Sequence, residues 1–171
     1  MTDDLPALFA YHRWAEERML ASCRLLTAEQ YAELEPFEMG WPSVRSVVLH
    51  LAWANETWLR RFLGEPPISM FSDADMPKLE SAATALLAAH DRFAAELLPS
   101  LTPDRLAAIF TYQNYKGVVT AAPLWALLRH VVNHGSYHRG QVASKLKRIG
   151  IDPPITDLVN WAVENTPHPG T

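Results

Sequence analysis

The 171-residue chain carries 15 basic and 19 acidic side chains, a formal net charge of −4, so it has no broad basic field with which to hold a nucleic-acid backbone. Its 49% hydrophobic and 20% charged content excludes intrinsic disorder, and no apolar run approaches the ~20 residues a membrane-spanning helix needs. The length suits one domain, 1–171; Asp3 and Asp4 stand where a secretion signal would be positive, and the single Cys23 allows no internal disulfide, so a cytoplasmic protein is expected.

Four stretches repeat apolar residues at helical spacing. In the first, Leu5, Leu8, Phe9, Ala15, Met19, Cys23 and Leu26 recur at three- and four-residue steps. The second opens on Ser43, a good N-cap, carries Val44, Val47, Val48, Leu51, Ala54, Trp58 and Phe62, and ends at Gly64. A third, from Leu79 to Leu97, stops before Pro99. Residues 107–120 lack helical period and hold Tyr112, Tyr115, Val118 and Val119 around Lys116-Gly117, which predicts a hairpin or extended crossover. The fourth helix starts around Pro123 and runs to Gly150, with Lys145, Lys147 and Arg148 at its negative end. One short helix near 156–165 is expected in the proline-rich tail. Four long amphipathic segments argue for an all-α four-helix bundle.

The histidines carry the chemistry. His130, His134 and His138 follow one another at four-residue steps. At 100° per residue, His134 and His138 lie about 60° and 20° from Val131, on the apolar stripe. Polar rings there need partners. Either a metal supplies one, or the rings are core histidines bonded to carbonyls or tyrosines. His50, on the flank of the second helix's stripe, decides between these, because a third imidazole from a facing helix leaves one coordination position open, the layout of a catalytic metal site. The expected ligands are therefore His50, His134 and His138. Cys23 reads as a small core residue, His130 as a neighbour of the site, His90 as a satisfied boundary residue, His12 as a pocket-lining candidate and His168 as an exposed tail residue.

Asn133-His134-Gly135-Ser136-Tyr137-His138-Arg139-Gly140-Gln141 resembles the NHxxxHRGQ signature of the DinB/YfiT-like superfamily of metal-dependent proteins. Tyr11-His12-Arg13-Trp14-Ala15, the segment from Ser43 to His50-Leu51, and Pro153-Pro154-Ile155-Thr156-Asp157 are similar to further segments of that family. The resemblance covers about residues 8–161. It implies an up-down-down-up four-helix bundle, a homodimer, and one divalent ion, zinc or nickel, on His50, His134 and His138. Some relatives are thiol-dependent S-transferases or isomerases using a low-molecular-weight thiol. Glu16 stands where the family often carries Asn. Within the signature, Gln141 is expected to orient a ligand or water, Gly140 to permit close approach of another helix, and Arg139 to pair with a carboxylate on a neighbouring segment.

A metal-dependent S-transferase acting on small electrophiles is the expected function, with a metal-dependent hydrolase or a non-catalytic metal-binding stress-response protein as the rivals. A pocket beside the metal lined by Trp14, Trp53, Tyr137 or Trp161 would favour an enzyme. Trp41, Trp53, Trp58 and Trp125 are expected at an association surface. DNA binding would rest only on Arg139, Lys145, Lys147 and Arg148, which read as a solvated face. Acid is expected to displace the metal between about pH 7 and pH 5, around the ~6.5 of free imidazole.

Overall fold

The computed structural model describes residues 4–34 and 41–167; His168 lies outside them. The chain is mostly helical, with one small antiparallel hairpin. The first long helix, α1, spans Leu5–Cys23, and a short α2, Ala28–Ala32, follows it behind a Thr27–Gln30 capping box. Helix α3, Val44–Leu63, begins on a second reciprocal cap: the Ser43 hydroxyl accepts from the Ser46 amide and the Ser46 hydroxyl from the Ser43 amide. Gly64 closes it in the left-handed conformation, φ 73°, where a side chain would be strained.

Helix α4, Leu79–Arg92, opens the expected third helix, whose end at Leu97 is passed by one short turn. A widened π-type turn, Phe93–Leu97, and a 3₁₀ turn, Leu98–Ser100, continue it. The register change puts both Phe93 and Leu97 in the core. After a single turn and a half in α5, Pro103–Ala107, the expected hairpin forms: β1, Ile109–Gln113, pairs antiparallel with β2, Val119–Pro123, from Ile109 opposite Pro123 to Gln113 opposite Val119. The Asn114 side-chain oxygen accepts from the amides of Lys116 and Val118 and shapes the loop, and Gly117 takes its left-handed position, φ 77°. Helix α6 runs from Leu124 to Ile149, and α7, Leu158–Glu164, packs on α1. No helix among the described residues is long and apolar enough to cross a membrane.

Helix α1 packs on α6 and α4, and α3 packs on α4 and α6. The buried apolar residues form two clusters. One gathers Phe9, Trp58, Leu59, Phe62, Phe93 and Leu128; the other gathers Met19, Val47, Leu51, Leu86, Val142 and Leu146. Between them the same four helices bury a polar layer of His12, Glu16, Asn55, His90 and Arg139. Periodicity alone hides this layer, since each of its members sits where an apolar residue would fit.

Candidate metal centre

Helix α3 supplies His50; α6 supplies His134 and His138, one turn apart. The structure brings these three rings together. His50 Nε2 lies 3.3 Å from His134 Nε2, and His134 Nε2 lies 3.1 Å from His138 Nε2. Two nitrogens sharing one tetrahedral ion at ~2.05 Å each would stand about 3.3 Å apart. The His138 ring is oriented by Gln141, whose side-chain oxygen accepts from Nδ1 at 2.7 Å. That bond puts the proton on Nδ1 and leaves the Nε2 lone pair facing the other two rings. Gln141 therefore orients His138, one turn beyond the His134 it neighbours on the helical wheel. Trp41 stacks on His50 at 4.5 Å between ring centres, and His50 Nδ1 is buried with no hydrogen-bond partner.

Burial holds all three imidazoles neutral. Desolvation lowers the pKa of His50 to about 3, aided by the neighbouring His138 and His134, and lowers that of His134 to about 4; His138 is lowered by the same cause. Three neutral imidazoles with converging lone pairs are the donor set that a borderline divalent ion takes. The group is compact enough to hold one.

A cavity of about 380 Å³ opens beside His50 and His134, walled by Trp53, Trp58, Tyr112 and His130. His130 stays out of the three-ring cluster; its ring centre is 5.4 Å from that of His134. Of the four aromatics expected in such a wall, Trp53 is there. Trp14 instead bonds Glu164 and, like Trp161, packs near Tyr11; Tyr137 is exposed beside His138. Cys23 is core, its thiol pushed up to about 12 by burial.

His12 does not line the pocket. It is fully buried on the other side of α6, where Arg139 Nη1 approaches its Nδ1 at 3.1 Å. A guanidinium only donates, so Nδ1 accepts and the ring proton sits on Nε2, 3.2 Å from Asn55 Oδ1. Asn55 is itself fixed by donating to the Leu51 carbonyl. Arg139 also bonds the Tyr11 hydroxyl and Ser136, and makes no ion pair with a carboxylate among the described residues, contrary to expectation. Tyr11 passes the chain on to the Thr156 carbonyl, so the Pro-Pro-x-x-Asp segment is tied to α6 through one arginine. Lys145 is buried as well, so only part of the basic stretch of α6 is a solvated face.

Glu16 lies within the same layer, 2.6 Å from His90 Nε2 and 3.5 Å from His12 Nε2. Burial pushes its carboxyl up, but His12, His90 and Arg139 outweigh that and hold its pKa down at about 2. His12, Glu16 and His90 are also close enough to hold an ion; the hydrogen bonds above already use both nitrogens of His12. The signature glycine with a steric reason is Gly135, where a Cβ would fall inside van der Waals contact of His12 Cε1. Gly140 is exposed with nothing within 4 Å, so no helix approaches it among the described residues. The sequence signal missed for Glu16 was its i+4 spacing from His12 on the buried side of α1.

The fold and site define a class, a helical protein whose facing helices gather three histidines able to hold one metal ion beside a small cavity. The chain belongs to the DinB family, whose pattern matches residues 1–167. It is similar to Protein DinB of Bacillus subtilis (strain 168), with 26% identity over 161 residues and 92% of each chain covered.

Proposed function

We propose that His50, His134 and His138 bind one divalent ion, zinc or nickel, and that the protein is a metal-dependent S-transferase joining a low-molecular-weight thiol to a small electrophile. The convergence of three neutral Nε2 atoms at the edge of a cavity is the observation that carries this reading. A bound ion lowers the pKa of a thiol or water in its open position. The chain's own residues do the rest. Gln141 holds the His138 ring, Trp41 and Trp53 pack against His50, and Trp58 and Tyr112 give the cavity an aromatic wall. Among the described residues no Asp or Glu lines this cavity. His130, kept neutral by burial, is the group in its wall placed to accept a proton. The bundle order up-down-down-up belongs to the same proposal.

Protein prepared without chelator should carry about one divalent ion per chain, and His134→Ala/His138→Ala should carry none while keeping its helical circular dichroism. Conjugation of a thiol to a chloro-arene, followed by absorbance, should be lost with the ion. A double variant still loaded at the wild-type level would remove these ligands from consideration.

We also propose a homodimer. Its support now comes from the family resemblance and from the exposed apolar Ile155, Val159 and Val163 on and beside α7. The tryptophans support it less, because Trp41 and Trp53 flank the site and Trp58 is buried, leaving Trp125 exposed. Light scattering should give about twice the 19.2 kDa of one chain; a mass near 19.2 kDa would refute the dimer.

A further inference from the structure

From His50, the buried side of α3 continues through Trp53, Thr57 and Arg61 at steps of three, four and four residues, so these side chains follow one helix face away from the histidines for about 16 Å. All four line the same cavity. Three of them present hydrogen-bond donors. Trp53 Nε1 and Thr57 Oγ1 are buried atoms with no hydrogen-bond partner, and Thr57 is only 7% exposed. A buried donor left unsatisfied is destabilising and calls for an explanation such as a ligand.

The third, Arg61, has a fixed guanidinium. Its Nη2 donates to the Gln113 carbonyl at 3.0 Å, and its plane lies over the rings of Trp58 and Tyr112 at 4.8 and 5.0 Å. It makes no ion pair among the described residues. The acidic residues nearest along the helix, Glu56 and Glu65, are taken by Arg60 and Arg92. Glu65 lines the adjoining groove but is paired with Arg60 and Arg92, so a half-buried, oriented cation with no counter-charge among the described residues, beside two unsatisfied donors, is complementary to an anion.

We infer that this end of the cavity is an anion subsite, in which Arg61, Thr57 and Trp53 hold the carboxylate of an organic ligand whose body lies against Trp58 and Tyr112 and whose far end reaches His50 and His134. The ligand class rests on the proposed metal chemistry only for that far end. The carboxylate contacts are independent of any ion.

Two isosteric probes separate charge from shape: 1-naphthoate and 1-naphthamide, titrated against the full chain by tryptophan fluorescence. The protein should bind the naphthoate at least about tenfold more tightly, the scale of one hydrogen bond to a charged group. Arg61→Gln should erase that preference while leaving the naphthamide affinity unchanged. Thr57→Val, which keeps the side-chain shape, should reduce it several-fold without touching the aromatic wall. In His134→Ala/His138→Ala the preference should persist, so failure of the metal reading leaves this result standing. Equal affinity for the two probes, no naphthoate binding, or a preference kept in Arg61→Gln would each overturn the subsite. Loss of the preference in the double histidine variant would place the carboxylate at the histidines and overturn it too.

Discussion

Gly135→Ala should lower the unfolding free energy by about 3 kcal/mol and disturb metal binding, whereas Gly140→Ala, five residues on in the same helix, should do neither. A Cβ at Gly135 would collide with His12 Cε1, 2.9 Å from His12 Nδ1 and 3.1 Å from Arg139 Nη1. His12 has no room to retreat, because it is fully buried and held at both nitrogens. Either α6 shifts away from α1 or the polar layer comes apart. Overpacking a tight interior costs about 1–3 kcal/mol, and donors and acceptors left unpaired add to it. His134 is the adjacent residue, so movement of α6 at this point moves a proposed ligand. At Gly140 the new methyl group meets open space, and Ala gains about 1 kcal/mol of helix propensity over Gly. Urea denaturation of the chelated variants and metal analysis of the untreated ones test both halves. Equal stability of the two variants would mean that His12 does not pack on α6 as described.

Acid should unfold the chelated protein between about pH 5 and pH 4, well before its carboxylates are all protonated. His12 is lowered to about 3 by burial, His50 to about 3 and His134 to about 4. In the unfolded chain the same rings titrate near ~6.5. Below that pH the unfolded state binds protons that the folded state refuses, so stability falls as pH falls. Each fully buried ring contributes about 1.4 kcal/mol per pH unit, and solvent screening reduces the share of the half-buried His50 and His134. A combined slope of about 2–4 kcal/mol per unit removes about 5–10 kcal/mol between about pH 6.5 and pH 4, which exhausts the lower part of the typical ~5–15 kcal/mol of stability. Glu16 acts in the same direction at lower pH, since its carboxyl, held at about 2, loses its contribution as pH falls below the ordinary carboxylate range. Saturating zinc should move the midpoint down, because an ion that binds only the folded state stabilises it. The same low values predict a lower window for metal release than the free-imidazole value does. While the fold holds, protons compete at the rings nearer pH 4 than pH 6, so metal loss should coincide with unfolding. Circular dichroism against pH, with and without zinc, reads both; a midpoint indifferent to the ion, or unfolding only below pH 3, would contradict the histidine values.

The three-histidine cluster was legible because its spacing is local. His134 and His138 share a helix face by the arithmetic of 3.6 residues per turn, and His50 lies at the edge of an apolar stripe that must face inward. The helices were legible for the same reason, down to the Ser43 cap and the left-handed Gly64 and Gly150. Their ends were less so. The stretch Phe93–Leu97 is helical as its apolar spacing predicts, but its π-type widening and the 3₁₀ turn past Pro99 depend on how Phe93 and Leu97 pack in the core, which no local preference records.

What only the tertiary structure decided is which polar residue meets which. Periodicity assigns a residue to the inside of its own helix and says nothing about what stands opposite. Spacing therefore points His12 at the pocket, although it faces Arg139 of α6 and Asn55 of α3; it offers Gly140 for the close approach that belongs to Gly135; and it leaves Arg139 to a carboxylate where the fold supplies a tyrosine, a serine and an imidazole. The donors along α3 were equally silent, since an arginine without an anion and a threonine without an acceptor are recognisable only when every neighbour is known. Spacing along one helix is written in the chain, whereas hydrogen-bond satisfaction is a property of contacts between helices, and it appears only once they have packed.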